Sequence, residues 1–252
     1  MAAGRPDTAA GRRVTGPAGA AGPGAPRSAA GDEAPVTVLI ADDEELTRAG
    51  LRVLLSAQPD LSVVGEAATG AEVLPLVRQL RPDVVLMDVR MPELDGIEAT
   101  RRLRADPATR SKVLVITTFE SDDHVYDALR AGADGFVLKR SPTRQLAHAV
   151  RLVAAGDCLL FPDAVRRLVS ARGRPDGVPV RPALTERETE ILRLMAAGLS
   201  NGQIAERLTV SLETVKTHVS NVLTKLSAQN RTQAVIHAYE TGIVVPGVGR
   251  NV

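Results

Sequence analysis

Between residues 36 and 155, short runs of β-branched and aliphatic residues alternate with stretches whose apolar positions recur every three or four residues. A strand covered by helices on both sides has no polar face, so it reads as a continuous apolar run, the mark of βα units and a parallel sheet. Five units can be read. Strands are predicted at 36–41 (VTVLIA), 61–66 (LSVVGE), 84–87 (VVLM), 113–117 (VLVIT) and 135–138 (GFVL), with helices at about 45–57, 70–80, 96–105, 123–131 and 142–155. Thr69 with Glu72 has capping-box spacing, and Ser141 before Pro142 predicts an N-cap with proline at the first helical position.

Beyond residue 182 the pattern is helical throughout. Thr185 with Glu188 and Ser200 with Gln203 have capping-box spacing, and Ser211 is a plain N-cap candidate. They open helices at about 186–197, 201–208 and 212–227, and a fourth is expected at 231–241 before Gly242. The fold class is therefore α/β followed by all-α. The expected organisation is a tail at 1–34, an α/β domain at 35–158, a linker with a short helix (162–170) at 159–182, a four-helix domain at 183–245 and a flexible end at 246–252.

Composition changes the picture at three places. Residues 1–34 hold eleven Ala, seven Gly and four Pro with few large apolar side chains, too little to offset the entropy of ordering, so a disordered tail is expected. Pro and Gly interrupt every candidate apolar core there, which argues against a signal peptide. Residues 171–182 (ARGRPDGVPVRP) carry three Pro and two Gly without periodicity, as a linker does. The single cysteine, Cys158, excludes an intramolecular disulfide framework, and no apolar run is long enough for a membrane span, so a reducing, cytoplasmic setting is expected. The absence of Trp and a total of only five Phe and Tyr argue against a base-stacking surface of the single-strand-binding type. The net charge of +1 conceals an acidic middle, −4 over 35–158, and basic segments of +3 over 159–182 and +1 over 183–252.

In an open parallel sheet, reactive groups collect at the carboxyl ends of the strands. Here those positions hold Asp42 and Asp43, Asp88, Thr117 and Lys139. Three crowded carboxylates raise one another's pKa unless a cation sits among them, and hard oxygen ligands near solvent favour Mg²⁺. With Mg²⁺ and Lys⁺ to hold phosphate oxygens, one carboxylate can act as a nucleophile and become an aspartyl phosphate. Each residue also has a plainer reading: an Asp pair before a helix as a cap, Asp88, Thr117 and Lys139 as turn chemistry, Phe136 as core. Their joint occurrence in order on the strand ends favours the functional reading.

Residues 36–155, with IADDEE at 40–45, LMDVRMPELDG at 86–96, VITT at 115–118 and GFVLK at 135–139, resemble the receiver domain of two-component response regulators. The resemblance implies a flavodoxin-like, doubly wound sheet of strand order 2-1-3-4-5. It implies that Asp88 is the phosphoacceptor and that Mg²⁺ is held by Asp43, Asp88 and the backbone carbonyl of Arg90, with Asp42 acting through a metal-bound water. It also implies that Thr117 and Lys139 receive the phosphate while Phe136 turns inward as a switch. Many receivers have Pro directly after the Lys, whereas Arg140 stands there in this chain, so no cis peptide is carried over.

On the helix expected at 212–227, Leu212, Val215, Val219, Val222, Leu223 and Leu226 fall within about 120° of one another, one buried face. Thr217 points away from it, amid Glu213, Ser220, Asn221 and Thr224, flanked by Lys216 and Lys225. Such a face suits the major groove, where Lys reaches guanine, a Thr methyl meets thymine and Asn pairs with adenine. The preceding helix and a short LTVS turn complete a helix-turn-helix. Residues 183–243, with LTERETEIL, GLSNGQIAERL, TVKTHVSNVLTKL and RTQA, resemble the LuxR-type DNA-binding domain, and a receiver before it is the arrangement of the NarL/FixJ family. That resemblance implies DNA contacts from Lys216, Thr217 and Ser220, extended here to Asn221, Ser211 and Thr214. It gives Glu188, Leu192 and Gly198 scaffold roles, and it makes the last helix a dimerisation element.

The expected protein is thus a response regulator and not an enzyme. Its expected partners are a sensor histidine kinase, double-stranded DNA and, when active, a second copy, because one small, weakly charged module buries too little surface to hold a site tightly. A phosphatase of the haloacid-dehalogenase type would need a second acid two residues after the nucleophile, where Arg90 stands. A regulator that works without phosphorylation is the third reading, opposed by the intact set of five strand-end residues.

Overall fold

The computed structural model describes residues 34–118, 122–156, 162–171 and 183–244. The tail, Cys158, the linker beyond residue 171 and the last residues of the chain lie outside the described residues.

Five parallel strands form the sheet: β1 (Val36–Ala41), β2 (Leu61–Ala67), β3 (Val84–Asp88), β4 (Lys112–Thr117) and β5 (Gly135–Leu138), in the order β2-β1-β3-β4-β5. Successive side chains of a strand leave on opposite faces, so each strand feeds two cores. Val38, Ile40, Val84, Leu86, Leu114, Ile116 and Val137 pack against α1 (Glu45–Ser56) and α5 (Thr143–Ala155) through Leu51, Leu55, Leu146 and Val150. Leu39, Val85, Met87, Val113 and Val115 face α2 (Gly70–Leu80), α3 (Gly96–Ala105) and α4 (Asp122–Arg130). The strand order reverses between β1 and β3, so the carboxyl ends of those two strands flank the crevice of the sheet.

After α6 (Pro162–Ala171) come α7 (Glu186–Ala196), α8 (Asn201–Leu208), α9 (Leu212–Lys225) and α10 (Arg231–Glu240). Their core is Ile191, Leu192, Met195, Ile204, Val215, Val222 and Val235. The two capping boxes expected in this domain are formed, and Ser211 and Asn230 cap α9 and α10. Such a cap is worth about 1 kcal/mol. No helix among the described residues is long and apolar enough to cross a membrane.

Three local expectations are corrected. Thr69 makes no cap hydrogen bond, although Glu72 does reach back to the Ala68 amide at 2.8 Å. Pro142 rather than Ser141 occupies the N-cap of α5, and the helix starts at Thr143; Ser141 belongs to a turn in which its amide donates to the Leu138 carbonyl at 2.9 Å. Leu212 is 40% exposed, because it opens α9 at its first position, clear of the bundle.

The described residues pack as one unit. α10 lies against α4 and α6 as well as α7 and α9. Side chains at its start cap backbone carbonyls of the α/β domain: Asn230 donates to Gly132 at 2.7 Å, Thr232 to Asp134 at 2.6 Å and Gln233 to Arg130 at 2.9 Å. At its other end Glu240 accepts a hydrogen bond from the Tyr126 hydroxyl.

Candidate functional site

Asp42 and Asp43 follow β1 directly and Asp88 ends β3, so the sheet order brings three carboxylates from two adjacent strands to one edge. One oxygen from each lies within 4.8 Å of the others. Asp42 is fully buried, Asp88 nearly so, and Asp43 is exposed. The Glu44 amide donates to Asp42 Oδ1 at 3.0 Å, and the Val89 amide donates to Asp88 Oδ1 at 2.7 Å. Asp42 Oδ2 is buried without a hydrogen bond of good geometry.

Lys139, the residue after β5, reaches into this cluster. Its Nζ donates to Asp88 Oδ2 at 3.0 Å and stands 2.6 Å from Asp42 Oδ2. The ammonium therefore bridges two carboxylates, partners additional to the phosphate that the resemblance gives it. Burial pushes the Asp88 carboxyl above the usual carboxylate range; Lys139 opposes this through its hydrogen bond and charge, and the Asp42 charge adds to it. Burial works to lower the Lys139 pKa, but the two carboxylates outweigh it and the ammonium is held above its ordinary value.

Thr117 is buried at the end of β4. The register pairs Asp88 with Ile116, which sets Thr117 one residue further along the adjacent strand, and its carbonyl accepts from the Lys139 amide at 2.8 Å. Phe136 is buried on β5, and Arg90 sits on the exposed loop two residues beyond Asp88. Three hard oxygen ligands gathered at one edge of the sheet form a set suited to a small divalent cation.

Two glycines hold the loop after Asp88. A Cβ on Gly96 would stand 1.9 Å from the Asp88 carbonyl oxygen, and one on Gly70 would stand 2.1 Å from the Leu94 carbonyl oxygen. Only glycine lets the first turns of α3 and α2 approach so closely. Gly96 also donates its amide to Val89 at 2.9 Å, and Asp95 caps α3. The signal in the sequence was Asp-Gly at the start of a helix, immediately beyond the acidic turn.

In the helical domain, Ser211, Thr214, Lys216, Thr217, Ser220 and Asn221 are all exposed on α9 or its cap. Several already have local partners. Ser211 accepts from the Thr214 amide at 3.1 Å and lies 2.8 Å from its hydroxyl, Lys216 pairs with Glu213 at 2.9 Å, and Thr217 donates to the Glu213 carbonyl at 2.9 Å. Thr209 takes a left-handed conformation to end α8, so that Val210 and Ser211 turn the chain into α9. Lys225, read as a flank of the outer face, spends its ammonium on the buried Glu188 at 2.6 Å and ties the end of α9 to the start of α7. Glu188 and Leu192 are buried and Gly198 has a φ of 88°, as scaffold positions should.

Residues 38–151 match the response regulator receiver domain, and residues 182–238 match the luxR family of bacterial regulatory proteins. The response regulator protein VraR of Staphylococcus aureus (strain Mu3 / ATCC 700698) is 43% identical over 210 residues, covering 83% of this chain and 99% of that protein. A solved two-component response regulator of the LuxR family from Aurantimonas sp. SI85-9A1 is similar over 55% of this chain and 99% of its own, at 34% identity and a TM-score of 0.50.

Proposed function

Because the chain belongs to the two-component response regulators that join a receiver to a LuxR-type DNA-binding domain, we propose that Asp88 accepts a phosphoryl group from a sensor histidine kinase and thereby controls how α9 meets DNA. Proteins of this family regulate transcription and are not enzymes, which removes the phosphatase reading. The observation that carries the assignment to Asp88 is its position: a carboxylate with one oxygen held by Lys139, beside two further carboxylates at the crevice of the sheet.

In the transfer, an Asp88 carboxylate oxygen attacks phosphorus, the P–N bond of the phosphohistidine breaks, and the imidazole leaves with the electron pair and takes up a proton. Asp42, Asp43, Asp88 and the Arg90 carbonyl would hold Mg²⁺, which would supply charge neutralisation for the phosphoryl oxygens. Lys139 supplies a positive charge at Asp88 Oδ2. Once the phosphoryl group is in place, the Thr117 hydroxyl donates to it and Phe136 repacks as Thr117 moves. Phosphate can shift the equilibrium only through contacts that the unphosphorylated form lacks, and Thr117 and Lys139 provide them.

The arrangement in which α10 caps the receiver carbonyls is the one that phosphorylation disfavours. Its loss frees α10 to pair with a second copy, so that two α9 helices meet paired half-sites in the cytoplasm. Lys216, Thr217, Ser220 and Asn221 supply the base and phosphate contacts, and Ser211 and Thr214 supply contacts at the start of the helix. Acetyl phosphate with Mg²⁺ should label the wild-type chain and increase its retention of genomic fragments in gel shifts, whereas Asp88→Asn should show neither effect. Full labelling of Asp88→Asn would refute the assignment.

A further inference from the structure

Asp43 is the exposed member of the acidic cluster, and among the described residues no hydrogen bond or ion pair holds its carboxylate. Asp42 and Asp88 are fixed differently, by the Glu44 and Val89 amides and by Lys139. The direction of the Asp43 side chain therefore follows from its backbone. The Asp42 carbonyl and the Asp43 amide belong to one rigid peptide plane, so whatever grips that carbonyl sets where Asp43 points.

β1 has ended by this point, and the carbonyl takes its partner from a side chain at the end of the first turn of α1. Arg48 donates from Nη1 to the Asp42 carbonyl at 2.7 Å. Its Nε faces Glu66 of β2 at 3.5 Å, and the side chain is largely buried. The Asp42 amide donates to the Ala67 carbonyl at the end of β2 at 3.1 Å. Arg48 thus ties the end of β1, the end of β2 and α1 together at one point. A planar guanidinium serves a carbonyl and a carboxylate at once, whereas an ammonium is a point charge without that fork.

By charge alone, a guanidinium beside a cation site weakens the binding of a divalent ion. Its hydrogen bond to the Asp42 carbonyl acts in the opposite direction. We propose that Arg48 is a positioning residue for the cation site: it holds the peptide between Asp42 and Asp43 so that Asp43 joins Asp88, and this effect outweighs the repulsion of its charge. The inference rests on the cation reading given above. Groups that orient a metal ligand in this way commonly govern affinity by about ten- to a hundredfold.

The test is a Mn²⁺ titration of the full-length, unphosphorylated chain without a phosphoryl donor, with free Mn²⁺ counted by electron paramagnetic resonance. Arg48→Gln should weaken binding about tenfold, whereas charge repulsion alone predicts tighter binding. Arg52 pairs with the same Glu66 at 3.3 Å and makes no hydrogen bond to Asp42 among the described residues, so Arg52→Gln should leave Mn²⁺ affinity unchanged. In the metal-free Arg48→Gln chain the Asp43 amide resonance should shift while that of Val89 holds, a local change that general loosening does not produce. Arg48→Lys, lacking the fork, should also bind more weakly than the wild type, and it decides the matter if Arg48→Gln does not fold. Mn²⁺ affinity at or above that of the wild type in either Arg48 variant, or an equal loss in Arg52→Gln, overturns the proposal while leaving the cation site standing. Asp43→Asn should weaken binding as well; if it does not, or if the wild type takes up no Mn²⁺, the cation reading itself fails and the role of Arg48 with it.

Discussion

At the scale of single residues, Gly96 shows how much of the site depends on an atom that is missing. A methyl group there would overlap the Asp88 carbonyl, so either α3 or the loop carrying the phosphoacceptor must shift. Gly96→Ala should cost about 1–3 kcal/mol, the usual penalty of overpacking, and slow acetyl-phosphate labelling. Urea unfolding and a labelling time course would measure both, and unchanged labelling would show that the approach is not needed for chemistry. Glu188 is a second case. Its hydrogen bond to Lys225, supported by the Thr185 amide, holds its carboxyl below the ordinary value of 4.5. A depressed carboxyl stabilises the fold above its unfolded pKa, and that contribution is lost as pH falls through the folded pKa. Melting temperature should therefore fall below about pH 4.5 more steeply for the wild type than for Glu188→Gln. Parallel curves for the two chains would contradict this.

At the scale of elements, α9 divides its work by face. Val215, Val222 and Leu226 are buried, Val219 and Leu223 are half-buried, and the opposite side is a row of short polar side chains. This division was legible from the sequence because helical geometry fixes which residues share a face. What it did not give was the exposure of Leu212 or the commitment of Lys225 to Glu188, since both depend on where neighbouring helices end. Thr217→Ala should weaken binding to a specific site by about 1–3 kcal/mol while leaving non-specific binding at low salt unchanged. Fluorescence anisotropy with a selected and a scrambled duplex would separate the two, and an equal loss on both would place Thr217 outside base recognition. The start of α5 makes the same point in a smaller way. Ser141-Pro142 signalled a helix start correctly, yet the frame moved by one residue because the Ser141 amide is used by the turn from β5.

At the scale of the whole molecule, the two domains share a surface. The connection between α4 and β5 presents carbonyls of residues 130, 132 and 134, and side chains from the start of α10 satisfy them. Asp134 is itself anchored from the receiver side, by the Arg104 guanidinium and by the Val113 amide at 2.8 Å. Removing Tyr126–Glu240 and Thr232–Asp134 with Tyr126→Phe and Thr232→Val should cost about 1 kcal/mol each and shift the balance toward separated domains about tenfold or more. Small-angle scattering should then show a larger radius of gyration, and gel shifts should show DNA retention without a phosphoryl donor. An unchanged radius and unchanged basal affinity would mean that these contacts do not restrain the domains.

The sequence alone determined the order and type of the elements, because apolar runs and helical periodicity report burial directly. It also determined which residues stand at the strand ends, because those positions follow from where each run stops. Tertiary structure decided the rest. Whether Asp42, Asp43, Asp88 and Lys139 meet depends on strands whose partners are distant in sequence. The same holds for the glycines that clamp the Asp88 loop and for the side chains of α10 that cap receiver carbonyls. The contacts of Lys139 with Asp88 and of α10 with the receiver join residues 51 to 114 positions apart, and local pattern carries no information about such pairings.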